Sequence, residues 1–242
     1  MRRFFLLSAS IIMLSAAIHA QDEKKNKNDK DKPRVEGSGN VITKNVAVSS
    51  FNELNVSGVF SVLLIQGNAE TVKIEADDNL QEFFEVKNDG SKLNITMKKD
   101  LNFNSKKKMK VYVTFKNLKS MDLKTVGDVS SEENLKFDDI KINNKSVGSV
   151  DLKMTAHNLD VDNKSVGNVK LNGKAESVVI RNKGVGSVQA ADFIVQNMDI
   201  ENSGVGNADV NAEKELKVKD SFLGKVNNKG KATVRTINKV RI

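Results

Sequence analysis

Between residues 125 and 226 the apolar positions fall into columns that repeat with a period near twenty. Glycines at 127, 148, 167, 186, 206 and 224 mark the period, in steps of 18 to 21 residues. Eight positions before the last five glycines stand Ile140, Leu159, Val178, Met198 and Leu216, and six before stand Ile142, Val161, Ile180, Ile200 and Val218. Two apolar columns offset by two residues, rich in β-branched side chains, predict a strand with one buried face and exclude a helix. Apolar residues also stand one before the glycine (Val126, Val147, Val166, Val185, Val205, Leu223) and two after it (Val129, Val150, Val169, Val188, Ala208, Val226). These predict a second strand in each repeat. A fixed period of this length is what a solenoid leaves in sequence, since one coil cannot bury its apolar side without a neighbour.

Three polar columns accompany the apolar ones. Four before the glycine stand Asn144, Asn163, Asn182 and Asn202, with Asp220 completing the column. Stacked amides can hydrogen-bond from coil to coil and asparagine tolerates bends, so this column predicts an internal or corner ladder. Five before the glycine, Asp162, Arg181, Glu201 and Lys219 alternate in sign. Strands about 4.8 Å apart would set each of these charges beside its opposite. Three before the glycine come Lys145, Lys164 and Lys183, then Ser203 and Ser221. Lysines stacked so closely repel one another unless they splay into water or share an anion. The column is therefore either a solvated turn or a stripe that touches an anionic envelope polymer or lipid head groups.

Residues 41–123 are also strand-like but lack the period. Candidate strands run over 41–48, 54–59, 60–65, 71–75, 93–97 and 110–115, with turn signals at Gln66-Gly67-Asn68 and Asn88-Asp89-Gly90. The second of these lies between two alternating runs and predicts a hairpin. An open solenoid end exposes unpaired strand edges, so a cap is required, and this section is expected to supply it. The predicted fold is all-β: a right-handed parallel β-helix of about six coils over 124–242, capped by an antiparallel section over 41–123.

Charge and composition narrow the setting. Residues 1–20 read as an export signal: Arg2 and Arg3, an apolar run from Phe4 to Ile18, then Ala20. The run is short for a membrane span, which needs about 20 apolar residues, so no integral span is expected once the signal is cleaved. Without Arg2 and Arg3 the formal charge of +8 becomes +6, mildly basic. Residues 21–40 are dominated by a charged run and read as a flexible tether. The chain has no cysteine, hence neither a disulfide framework nor a lipid attachment site. The expected location is the periplasm, the cell surface or the medium.

The opening Val56-Ser57-Gly58, Gln66-Gly67, the stretch Glu75-Ala76-Asp77-Asp78-Asn79-Leu80 and the later glycine repeats carry a resemblance. From about Phe51 to the C-terminus the chain resembles the auto-transporter adhesin, head GIN domain family of exported bacterial proteins. That resemblance implies a β-helical surface or periplasmic protein of adhesin-like character. Members of the family carry Ser-Gly-Ser-Gly-Asp at each repeat, whereas here valine replaces a serine and only Asp128 keeps the acid.

Candidate chemistry is sparse. His157 is the sole histidine outside the signal, which excludes the common zinc sites and the His or Cys catalytic arrangements. Of the adjacent carboxylates, Asp138-Asp139 would point to opposite faces of a strand and make a poor glycosidase pair. With no tryptophan and one tyrosine, Tyr112, stacking on sugars is disfavoured. Nucleic acid is not expected, because the basic residues are not interleaved with aromatic ones. The functional expectation is a non-catalytic, exported, adhesin-like or envelope-associated protein without a cofactor. Its partner would be an anionic polymer or a protein, with self-association open. The alternative is a polysaccharide lyase or hydrolase on a β-helix scaffold.

Overall fold

The computed structural model describes residues 32–220 and 223–236. The export signal expected over 1–20, the tether up to residue 31, and Ser221 of the lysine column lie outside the described residues. The strands are β1 (Arg34–Glu36), β2 (Val41–Ala47), β3 (Glu53–Gly58), β4 (Ser61–Gln66), β5 (Thr71–Asp77) and, after a 3-10 helix at Asp78–Phe83, β6 (Phe84–Asp89). They continue with β7 (Lys92–Met97), β8 (Asn102–Asn104), β9 (Lys110–Phe115), β10 (Ser120–Thr125), β11 (Val129–Ser131) and β12 (Leu135–Asn144). The last six are β13 (Val150–Asn163), β14 (Val169–Asn182), β15 (Val188–Asn202), β16 (Ala208–Asp220), β17 (Val226–Asn228) and β18 (Val234–Thr236).

Two compact units result. In the smaller one β1 pairs in parallel with β8, and Glu36 is held by Arg34 (2.7 Å) and Asn104 (2.6 Å). The larger unit, described over residues 37–98, 105–220 and 223–236, holds the solenoid. Its long strands β12 to β16 stack in parallel in chain order, each running through two sides of a coil. Val161 pairs with Ile180 and Ile180 with Ile200, so the six-before column is one vertical file. The file extends through Ile142, Met121, Leu54 and Leu93, all almost fully buried. The period predicted this stack because equivalent positions bury the same surface in every coil.

The residues before coil β12 do more than cap the stack. Antiparallel pairing is present where it was expected: β6 with β7 across the Asp89-Gly90 turn, and β2 with β5 and β5 with β9. Beyond the pattern's reach, β3 and β10 pair in parallel, as do β3 and β7, and β4 joins β9 and β11 in the same manner. The solenoid therefore starts with turns built from β7 and β9, then β3 and β4, then β10 and β11. Their spatial order differs from their order in the chain.

The family-like stretch at 75–80 acts as a clasp. Gly39 N donates to the buried Asp77 carboxylate (2.8 Å), Ser38 N to Asn79 Oδ1 (2.9 Å) and Asn40 Nδ2 to Asp78 Oδ2 (3.0 Å). Ser105 donates its hydroxyl to Asp77 as well. Hydrogen bonds from Ser38 and then Asn40 hold the Asp78 carboxyl below the usual carboxylate range. Residues 38–40, at the end of the segment expected as a tether, are thus tied to the start of the 3-10 helix. Gln66 joins two turns: its Nε2 donates to the Lys116 and Lys136 carbonyls (3.0 and 2.9 Å), and its Oε1 accepts from Lys136 N (2.7 Å).

Candidate functional site: the stacked turn

Each coil ends a strand with the asparagine column and then makes the same short turn before its glycine. The strand alternation runs into that turn. The asparagine points in, the residue three before the glycine points out, the next points in, and the residue one before points out. Inside, Asn144 Nδ2 donates to Asn163 Oδ1 (2.9 Å), Asn163 Nδ2 to Asn182 Oδ1 (2.8 Å) and Asn182 Nδ2 to Asn202 Oδ1 (2.7 Å). Asn202 Nδ2 closes the series on Gly206 O (3.0 Å). All four amides are buried. Thr125, Ser146 and Ser165, two before the glycine, are buried beside them, and the hydroxyls of Thr125 and Ser165 cap the carbonyls of Gly127 and Gly167 (2.8 and 3.0 Å).

The turns lie directly on one another. Val147 N donates to Thr125 O (2.9 Å), Val166 N to Ser146 O (3.1 Å), Val185 N to Ser165 O (2.9 Å) and Val205 N to Gly184 O (3.1 Å). So close is the approach that a Cβ on Gly148 would stand 2.4 Å from Gly127 O, and one on Gly167 at the same distance from Gly148 O. Glycine here is a spacing requirement of backbone on backbone.

The outward side of the turn carries two files. One holds Lys145, Lys164 and Lys183, whose backbone amides donate to Leu123 O (2.8 Å), Asn144 O (2.8 Å) and Asn163 O (2.7 Å). The same register places Lys124 below Lys145, so four lysines stack in line. Lys124 stands at the same offset from its glycine, but Leu123 replaces the asparagine before it and hides the match. All four are exposed, and none forms an ion pair among the described residues. The second file holds Val126, Val147, Val166, Val185 and Val205, each 51 to 56 % exposed. These valines mark a turn and not a second strand, which begins only with the two-after column; from Val129 to Ala208 that column is buried.

Elsewhere the outward columns are spent on one another. Asp162, Arg181, Glu201 and Lys219 are in register, with Arg181 Nε donating to Asp162 Oδ1 (2.7 Å) and Lys219 Nζ 3.1 Å from Glu201. Arg181 also reaches Asp160. Its hydrogen bond holds the Asp162 carboxyl below the usual range and raises the guanidinium in return.

A groove of about 740 Å³ runs beside this face and is lined by Asp138, Asp139 and Asp160 among others. Contrary to the strand alternation expected for them, Asp138 and Asp139 both point outward. The reason is a corner: the pairing skips Asp138, His157 and Glu176, where the strands bend from one side of the coil to the next. Asp139 accepts from Asn158 Nδ2 (2.7 Å) and Asp160 is engaged by Arg181, so two of the three acids are committed to neighbours. Exposed His157 sits at that corner, and no group of three metal-ligating side chains occurs among the described residues.

The model of the family described as "putative auto-transporter adhesin, head GIN domain" matches residues 50–232. Among solved structures, a putative adhesin from Bacteroides fragilis is 28% identical with a TM-score of 0.73, over 84% of this chain and 100% of the other. A putative lipid binding protein from Parabacteroides distasonis (16% identical, TM-score 0.58, 85% and 100% covered) and a putative adhesin from Parabacteroides merdae (20%, 0.51, 85% and 100%) share the fold. No curated protein matches the chain.

Proposed function

Because the chain belongs to the auto-transporter adhesin, head GIN domain family, we propose that it is a non-catalytic, envelope-associated binding protein whose contact surface is the stacked turn. The relatives of similar fold are described as adhesins or as lipid binding, not as enzymes. No helix among the described residues is long and apolar enough to cross a membrane. The arginine pair and apolar run at 2–18 support export, with a periplasmic or surface destination.

One observation carries the reading: Lys124, Lys145, Lys164 and Lys183 stack in register and form no ion pair among the described residues, while the neighbouring charged column pairs Asp162 with Arg181 and Glu201 with Lys219. Like charges about 4.8 Å apart raise the local potential and favour an anionic partner that spans several turns. The catalytic alternative needs two carboxylates free to converge on a substrate. In the groove, Asp139 and Asp160 are already engaged.

The test is retention on an immobilised polyanion such as dextran sulfate. The full chain is expected to elute at higher salt than the variant with all four lysines changed to glutamine. Identical elution of the two would overturn the proposal.

A further inference from the structure

We propose that the stacked turn is a peripheral membrane contact, in which the valine file seats at the head-group boundary of an anionic bilayer and the lysine file pairs with lipid phosphates. This rests on the reading of the turn as an anionic contact surface and names its partner.

The apolar file is longer than the glycine repeats show. Val126 N donates to Gly58 O (3.0 Å), which stacks Val126 on Val59, 45 % exposed. At the other end Gly224 rides on Gly206, and Leu223, 67 % exposed, continues the line. Seven apolar side chains one coil apart make a straight file of about 30 Å. Four lysines run parallel to it, two residues away on the same outward side. The file on the opposite flank, one after the glycine, is Asp128, Ser149, Asn168, Ser187 and Asn207, with a single acid.

Three physical points select a bilayer. The turn's backbone amides at the lysine and valine positions already donate to the turn below, so drying them leaves few peptide groups unsatisfied. An exposed valine on every turn adds nothing to binding a hydrated polyanion, but it suits a surface that is apolar within and anionic at its boundary. A second copy of the chain fits poorly: a ridge one residue wide offers roughly 300 Å² a side, against about 800 Å² in a stable interface. If two ridges met antiparallel, lysine would face lysine.

The chain has no cysteine, so Val166→Cys and, on a different face, Gln189→Cys each give one site for an environment-sensitive fluorophore in the full chain. Vesicles of phosphatidylcholine with 30 % phosphatidylglycerol should shift the emission of the probe at 166 to the blue and leave that at 189 unchanged. Pure phosphatidylcholine should shift neither. Each lysine near an anionic surface contributes about fivefold to affinity, so replacing all four by glutamine should weaken the response at 166 by about a hundredfold or more. Added salt should weaken it in the same direction. If 166 stays silent on anionic vesicles while polyanion retention still depends on the lysines, the bilayer proposal falls and the anionic reading stands. If neither depends on the lysines, both fall. A response at 189 in place of 166 places the contact on another face and also overturns the proposal.

Discussion

The first turns of the solenoid and the later ones share an interior column and fill it with opposite chemistry. In the first turns the column is Ile95, Val56 and Leu123; from the next coil upward it is Asn144, Asn163, Asn182 and Asn202. The difference follows the path of the chain. In the first turns the links between the two strands vary: two residues between β3 and β4, a long excursion over 98–109 between β7 and β9, three residues between β10 and β11. A side-chain amide there would have no identical neighbour to bond, and an unpartnered buried amide costs about 1 to 3 kcal/mol. In the later coils every turn has the same geometry, so each amide finds its copy one coil away. A polar file is tolerated where the backbone repeats, and an apolar file is needed where it does not.

Glycine obeys the same division. Gly127 stands over Phe60, and a Cβ on Gly127 would meet the Phe60 backbone at 2.6 Å. Phe60 itself keeps a full side chain, buried against Phe84 at a ring separation of 5.5 Å. Within the repeated phrase, glycine is needed where one turn rides on another. Gly167→Ala should therefore be strongly damaging, by about 3 kcal/mol or more, because its methyl group meets the carbonyl of Gly148 and neither backbone can yield alone. Gly90→Ala, with nothing within 4 Å, should cost only the strain of a positive φ, about 1 to 2 kcal/mol. Urea unfolding of the two variants checks the contrast, and equal losses would erase the distinction between regions.

The next largest effect comes from giving a later coil the chemistry of the first ones. Asn182→Val removes the acceptor of Asn163 Nδ2 and Gly184 N and the donor to Asn202 Oδ1. The expected loss is about 2 to 3 kcal/mol, although valine is the more apolar residue. The volume-conserving swap Leu123→Met, in the apolar part of the same column, should cost less than about 1.5 kcal/mol. Should Asn182→Val prove neutral in urea unfolding, the amides would be passengers and not the reason the later coils keep their register.

The division also explains what could be read in the sequence. The coil, its inward columns and the asparagine ladder were legible because identical environments recur at identical offsets. The outward position of Val126, Val147 and their successors was legible in principle. Positions eight, six, four and two before the glycine point in, so one before must point out; residue type alone suggested burial. Lys124 escaped because Leu123 stands where the later coils have asparagine, and Val59 because Phe60 stands where they have glycine. The insertion of β3 between β7 and β10 left no local trace, since parallel pairing between distant segments is set by packing and not by neighbouring residues. The corner at Asp138, His157 and Glu176 carries neither glycine nor proline, so nothing marked the bend that turns Asp138 and Asp139 to the same side.

The smallest expected effect tests the faces of the later coils. Arg181 bonds Asp162 and Asp160 at the surface, with about a third of its side chain in water (34%), so screening limits the group to about 1 kcal/mol or less. Its hydrogen bond lowers the Asp162 carboxyl in the folded chain. A depressed folded value stabilises above the unfolded carboxylate value, about 3.9, and that stabilisation is lost as pH falls through the folded value. Arg181→Met should therefore lower stability by a near-constant amount between pH 5 and 8, and the gap to the parent should close below about pH 4. Urea midpoints measured across this range give the result directly. A gap that persists at low pH would assign the loss to packing of the aliphatic stem of Arg181, leaving the ladder of charges no part in holding the later coils in register.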